Sequence, residues 1–248
     1  MGITAAREPA VAGTGLDNDR AFIRLGIAAA VTGMLAWIIG MALIPPGARL
    51  GQGSQHLARV LQAHAAPLYA AALLAVWGAV LLAGFFAVLS CLVSRGRPGW
   101  AWLRVSLAGC VITQTLVAVG ASFALAGAHA AAANAPAAVV AFAWRGLWLT
   151  FLASAVPTII FTVTGILGLR QARLSPPWVS ALGWLSAAAH LLAMFTLAQR
   201  GAFAPDGIIA TLAPLTTVLW ILALAATLPR SWLARRTDQR MPGRHPRQ

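Results

Sequence analysis

Four hydroxyl side chains, Thr150, Ser154, Thr158 and Thr162, recur every four residues around Pro157. On an α-helix that spacing places them on one face. Two kinds of chemistry suit such a face. A proline removes a backbone donor and bends the helix, and neighbouring hydroxyls can then satisfy the freed carbonyls. Alternatively the bent face lines a small polar cavity together with Thr113, Gln114, His190, Thr216 and Thr217. Neutral hydroxyl, amide and imidazole groups in apolar surroundings bind through hydrogen bonds, which suits a small neutral or lipid-like molecule.

Arg145 is the second candidate. It lies between Trp144 and Trp148, where its guanidinium can snorkel to an outer headgroup layer, or it faces an outward cavity and contacts an anion. His56, His64, His129 and His190 raise the question of haem or copper. Helical ligand pairs need i, i+3 or i+4 spacing and no two of these histidines have it, while His129 falls in what reads as a flexible Ala-rich loop. The expectation is no metal and no cofactor. There is no phosphate-binding glycine loop, no HExxH helix and no GxSxG elbow, so no catalytic residue is assigned and the chain reads as non-enzymatic. Cys91 and Cys110 read as small buried apolar residues rather than a disulfide.

These residues sit on long apolar stretches. Of 248 residues 60% are apolar and 9% charged, a balance foreign to water-soluble domains. Six stretches are predicted to cross a bilayer: about Ala21 to Ile44, Pro67 to Val93, Trp102 to Ala126, Leu147 to Leu169, Trp178 to Ala198 and Gly207 to Leu228. A hydrocarbon core of roughly 30 Å needs about 20 apolar residues. The fold class is therefore an all-α polytopic membrane protein, a six-transmembrane-helix bundle. Residues 1–20 read as a flexible tail and 229–248 as a basic one. None of the five acidic residues falls within a span, so a familiar ion-coupled pump has no midplane carboxylate to use.

Orientation follows from arginine, since short Arg-rich loops stay cytoplasmic. With the amino terminus inside, fourteen of the eighteen arginines fall on the inner side, leaving Arg49, Arg59, Arg145 and Arg200 outside. The topology is N-in/C-in. Trp100, Trp102, Trp178 and Trp232 mark the inner interface and Trp144 and Trp148 the outer one, with Trp37, Trp77, Trp184 and Trp220 packed between helices. Ser54 can cap a short outer amphipathic helix carrying Leu57, Val60, Leu61 and His64 on one face. Gly26, Gly33 and Gly40, with Ala30 between them, form a close-contact seam on the first span, and Gly120 with Ala124 a small-xxx-small pair on the third. The absence of lysine beside abundant Ala, Arg and Gly points to a high-GC bacterium and its plasma membrane.

Pro45-Pro46-Gly47 after the first span, the outer amphipathic segment, the run from Leu174 through Ser175-Pro176-Pro177-Trp178 to Trp184, and Gly201 to Gly207 ahead of Pro214 and Trp220 resemble uncharacterised six-span membrane proteins of high-GC bacteria, a domain-of-unknown-function class. The resemblance implies six helices and no known activity. Two roles remain. The first is a non-enzymatic regulatory or structural membrane component, whose Arg-rich C-terminal tail, Arg230 to Arg247, grips anionic lipid or an acidic protein partner. The second is a passive carrier or binder of a small neutral or lipid-like molecule. Membrane lipids are the expected surroundings in either case; the arginines flank hydrophobic spans, so nucleic acid is not a partner.

Overall fold

The computed structural model describes residues 14–49, 51–93, 96–196, 202–204 and 207–240, without side chains for 14–19 and 233–240. Eight α-helices follow in order: α1 (Thr14–Ala42), α2 (Ser54–Ala63), α3 (Ala65–Cys91), α4 (Trp100–Ala132), α5 (Ala137–Ala153), α6 (Ala155–Gln171), α7 (Pro177–Ala193) and α8 (Ile208–Arg240). No strand occurs among the described residues. The protein is an all-α membrane protein: five helical segments, Arg20–Ala42, Ala65–Cys91, Trp100–Ala132, Ala137–Gln171 and Ile208–Trp232, are long and apolar enough to cross a bilayer. In lipid, helix is the form that satisfies every backbone donor and acceptor within one segment. Their outer faces carry large apolar side chains such as Leu25, Trp77, Val80, Phe142 and Leu219 in the open.

The fifth expected span, Trp178 to Ala198, is shorter than expected. α7 holds 17 residues, about 26 Å at 1.5 Å each, and ends at Ala193 rather than Ala198. Other boundaries also move. α1 starts at Thr14, so the end of the expected flexible tail is helical; a helix already nucleated extends through residues that contain no proline. α4 runs on to Ala132, which puts His129 in its last turn and not in a loop. The Ala-rich segment there has the highest intrinsic helix propensity, and the helix stops only where Asn134 takes φ 54°, with the Ala135 amide donating to the Ala130 carbonyl at 2.9 Å. The basic tail begins as helix, since α8 continues to Arg240; residues 241–248 lie outside the described ones.

The fourth apolar segment is a bent pair rather than one rod starting at Leu147. α5 and α6 together span 35 residues, about 52 Å if straight, well beyond the hydrocarbon thickness. The break falls at Ser154, three residues before Pro157, because the proline ring cannot sit against the carbonyl of Ala153 in a regular helix. α5 thereby leaves the line of α6 and packs beside the end of α4 and beneath α2.

In the main body α1, α3, α4, α6, α7 and α8 each touch the next, and α8 returns to α1, closing a ring. The Gly26, Gly33 and Gly40 seam faces α3: a methyl group at Gly33 would lie 3.1 Å from the Gly78 carbonyl, and one at Gly78 would lie 2.9 Å from the Gly33 carbonyl. Gly120 lies against Leu147 and Thr150 of α5. One apolar core fills the arginine-rich end around Phe85, Phe86, Phe161 and Trp220. A second, around Leu57, Leu61, Trp144 and Leu147, joins α2 to α3, α4 and α5 at the other end. α2 begins at Ser54 with Gly53 as its cap residue and no side-chain capping bond, and it buries Leu57 and Leu61 as its amphipathic pattern requires. Gln62 Nε2 donates to Asn134 Oδ1 at 2.8 Å, tying α2 to the end of α4.

Tryptophan placement departs from the belts in several places. Trp144 is fully buried and donates its Nε1 to the Ala48 carbonyl at 2.8 Å, while Trp77 and Trp184 face outward and Trp232 is buried. Lipid solvates an indole as well as a helix neighbour does, so depth alone does not decide whether a ring packs inward. Cys91 is exposed at the end of α3, and only Cys110 is buried; both are free thiols.

Gly99 joins the α3–α4 turn to α6. Its φ is +86°, and an added Cβ would run into the Gly168 carbonyl and lie 3.2 Å from the Ala172 amide nitrogen. Gly99→Ala combines left-handed strain with a backbone clash and is expected to cost about 2–3 kcal/mol. The check is the thermal midpoint of the purified protein in detergent, with Gly96→Ala as control, since Gly96 shares the positive φ but has open space around it.

Candidate functional site

The hydroxyl stripe divides into residues that repair their own helix and residues that also meet the ring interior. Thr150 Oγ1 donates to the Gly146 carbonyl at 2.7 Å, Ser154 Oγ to Phe151 at 2.6 Å, and Thr158 Oγ1 to Ser154 at 2.7 Å. These are the bonds that a proline-bent helix calls for. Thr162, fully buried, has no partner for its hydroxyl. Ser154 and Thr158 in addition line a cavity, whereas Thr150 and Thr162 do not.

That cavity, of about 70 Å³, lies inside the ring. Thr113 and Gln114 from α4, Ser154 and Thr158 at the start of α6, His190 from α7 and Thr217 from α8 supply its polar wall. Trp37, Phe151, Phe161 and Val218 are among its apolar lining. Thr216, expected with Thr217, instead donates to the Ala213 carbonyl at 2.6 Å and takes no part in the wall. A second cavity of about 70 Å³ adjoins the first, and both have Trp37, Phe151, Ser154, His190 and Pro214 in their walls. It extends toward the α1 C-terminus and the α8 N-terminus, where it is bounded by Ile44, Trp148 and the exposed Thr211. At roughly 30 Å³ per water, each cavity has space for about two waters.

Cross-helix bonds hold the wall. Thr113 and Thr158 hydroxyls approach at 3.4 Å between α4 and α6, and Ser186 and Thr217 at 2.6 Å between α7 and α8. His190 is 8% exposed, and its Nδ1 lies 2.9 Å from the Ser186 carbonyl. A carbonyl only accepts, so Nδ1 carries the hydrogen and, in the neutral ring, Nε2 is left with a lone pair. Among the described residues the imidazole reaches no other group by hydrogen bond. Ser186 is thus a site residue that the stripe logic missed. Its signal in the sequence is its position four residues before His190, one helical turn away on the same face.

The other candidates lie elsewhere. Arg145 is exposed on α5 and borders neither cavity, and with Trp144 turned inward it is not held between two interfacial indoles. Trp144 and Trp148 instead meet edge to face at 6.4 Å and 78°. His64 bonds its own helix at the Val60 carbonyl, and His129 Nδ1 lies 3.3 Å from the Tyr69 hydroxyl, both near α2 and away from His190. Among the described residues no three His, Cys, Asp or Glu side chains gather as a metal site. No arginine and no carboxylate among the described residues lines either cavity, and the lining that is described can hold a neutral molecule by hydrogen bonds and apolar contact. The chain matches no protein-family model, no curated protein and no solved structure.

Proposed function

We propose that this is a six-span protein of the bacterial plasma membrane, with both termini cytoplasmic, that holds a small neutral, largely apolar molecule in the ring chamber without altering it chemically. One observation carries this reading: six polar side chains from four helices converge on a cavity within the ring whose described lining carries no formal charge. That convergence favours the carrier or binder role over a purely regulatory or structural one, which needs no chamber.

Six spans are supported by α7, whose 17 residues reach the lower limit of about 17 needed to cross. It also stands in the ring between α6 and α8, as a full member of the bundle. The orientation is supported by Arg97, Arg104, Arg170, Arg173 and Arg230, which cluster at the α3–α4 turn, the α6–α7 turn and the far part of α8. Arg104 also lies 5.7 Å over the Trp100 ring, an arrangement suited to a headgroup layer.

Native mass spectrometry of detergent-extracted protein tests the binding role. A small neutral mass retained by the wild type and lost in Ser154→Leu is the expected result, because Ser154 borders both cavities and leucine would fill the space between them. Wild-type protein that carries no such mass, or a Ser154→Leu chain that carries it equally, would overturn the reading.

A further inference from the structure

We propose that His190 Nε2 is the recognition group of the chamber and that its ligand is a neutral, ring-sized apolar molecule bearing one O–H donor, of the phenol type. This rests on the binding role proposed above and names the ligand class for the same chamber. His190 is more than nine-tenths buried, and one ring nitrogen is committed to the Ser186 carbonyl at 2.9 Å. That bond fixes the tautomer, so the opposite edge of the ring presents an acceptor to the cavities that His190 lines. Among the described residues no donor satisfies it. Nε2 is not among the fully enclosed atoms that lack a partner, so it lies where water or a ligand donor can reach it.

The neighbouring hydroxyls are engaged in hydrogen bonds of their own, and their remaining oxygen lone pairs are weaker acceptors than an imidazole nitrogen. Ser154 and Thr158 donate to carbonyls of their own helix, and the Ser186 and Thr217 hydroxyls pair with each other at 2.6 Å. Beyond these and the polar Thr113 and Gln114, the lining is largely aromatic and aliphatic, with Trp37 and Phe151 shared by both cavities. An aromatic ring among such side chains gains offset or edge contacts, while a charged head would be desolvated with no counter-ion. The chemistry therefore favours one donor on a flat apolar body over a zwitterion, a sugar or a carboxylate.

Phenol and toluene form the test, since they share a shape and differ by the donor. Purified full-length protein in detergent, labelled with ¹⁵N-histidine, is titrated with each, following thermal stabilisation and the Nε2 resonance of His190. The expected result is that phenol stabilises the protein and moves the Nε2 signal, while toluene binds about tenfold more weakly and leaves it in place. His190→Phe should abolish the preference for phenol while toluene binding persists. Equal binding of the two probes, or phenol binding with an unmoved Nε2, overturns the assignment to His190 and leaves the chamber reading standing. Failure of both probes to bind wild-type protein overturns both. The wild-type comparison stands by itself should His190→Phe not fold.

Discussion

Trp220→Ala is expected to lower the thermal midpoint of the detergent-purified protein by roughly 6–12 °C, through a loss of about 3 kcal/mol. Trp220 is fully buried where α8 meets α6 and α7. Its ring lies 6.1 Å from Phe161 and 6.1 Å from Phe86, which themselves meet edge to face at 5.3 Å. The slot for the indole is cut by glycines. A methyl group at Gly183 would stand 2.8 Å from Trp220 Nε1, and one at Gly165 would stand 3.3 Å from Cη2. In a membrane protein the transfer from water to oil contributes little to helix association, so what alanine removes is mainly dispersion contact. A vacated volume of about 130 Å³ at about 24 cal/mol per Å³ gives the figure above. Trp220→Phe, which leaves a smaller void, should lose about a third as much. A Trp220→Ala protein that melts with the wild type would show that α6, α7 and α8 are not held together by this cluster.

Gly33→Leu is expected to weaken the α1–α3 contact by about 2–4 kcal/mol. At the crossing, each glycine opposes the other's carbonyl, with notional Cβ distances of 3.1 and 2.9 Å. The obstacle is backbone on both sides, so no side chain can swing away, and the helices must separate or tilt. Separation strips α1 of its contacts along the whole seam, since a methyl group at Gly40 would lie 3.1 Å from the Ala71 carbonyl and one at Gly26 would lie 2.8 Å from the Val88 side chain. Without a hydrophobic drive between helices in lipid, this close approach is what holds α1 in place. Because α1 supplies Met34 and Trp37 to the chamber wall, ligand retention should fall along with the thermal midpoint. Gly33→Ala should produce a smaller drop in both. A leucine variant with unchanged midpoint and unchanged retention would mean that α1 is dispensable to the ring.

Of the candidate site, the residue types and their helices were legible in the linear chain, but their grouping was legible only in part. Repeat spacing placed Thr150, Ser154, Thr158 and Thr162 on one face; it could not say that only Ser154 and Thr158 reach the cavity. The reason is the break at Ser154, which turns α5 away from α6 and takes Thr150 with it. Arg145 read as a headgroup or cavity residue because its neighbours are tryptophans. The bond from Trp144 to Ala48 spans a gap that adjacency does not encode.

The amino-acid sequence alone determined the membrane class, the existence and approximate bounds of the apolar helices, and the glycine seam on α1, because apolar length and periodicity are local properties that lipid and backbone hydrogen bonding act on directly. Only the tertiary structure decided where the fourth segment bends, which tryptophans turn inward, and that His190 presents its acceptor beside Ser154 and Thr158. Those outcomes depend on pairs such as Thr113 with Thr158 and Ser186 with Thr217, and on α8 returning to α1. In lipid nearly every apolar face of a helix is tolerated outward, so the face that turns inward is chosen by the fit of distant helices to one another.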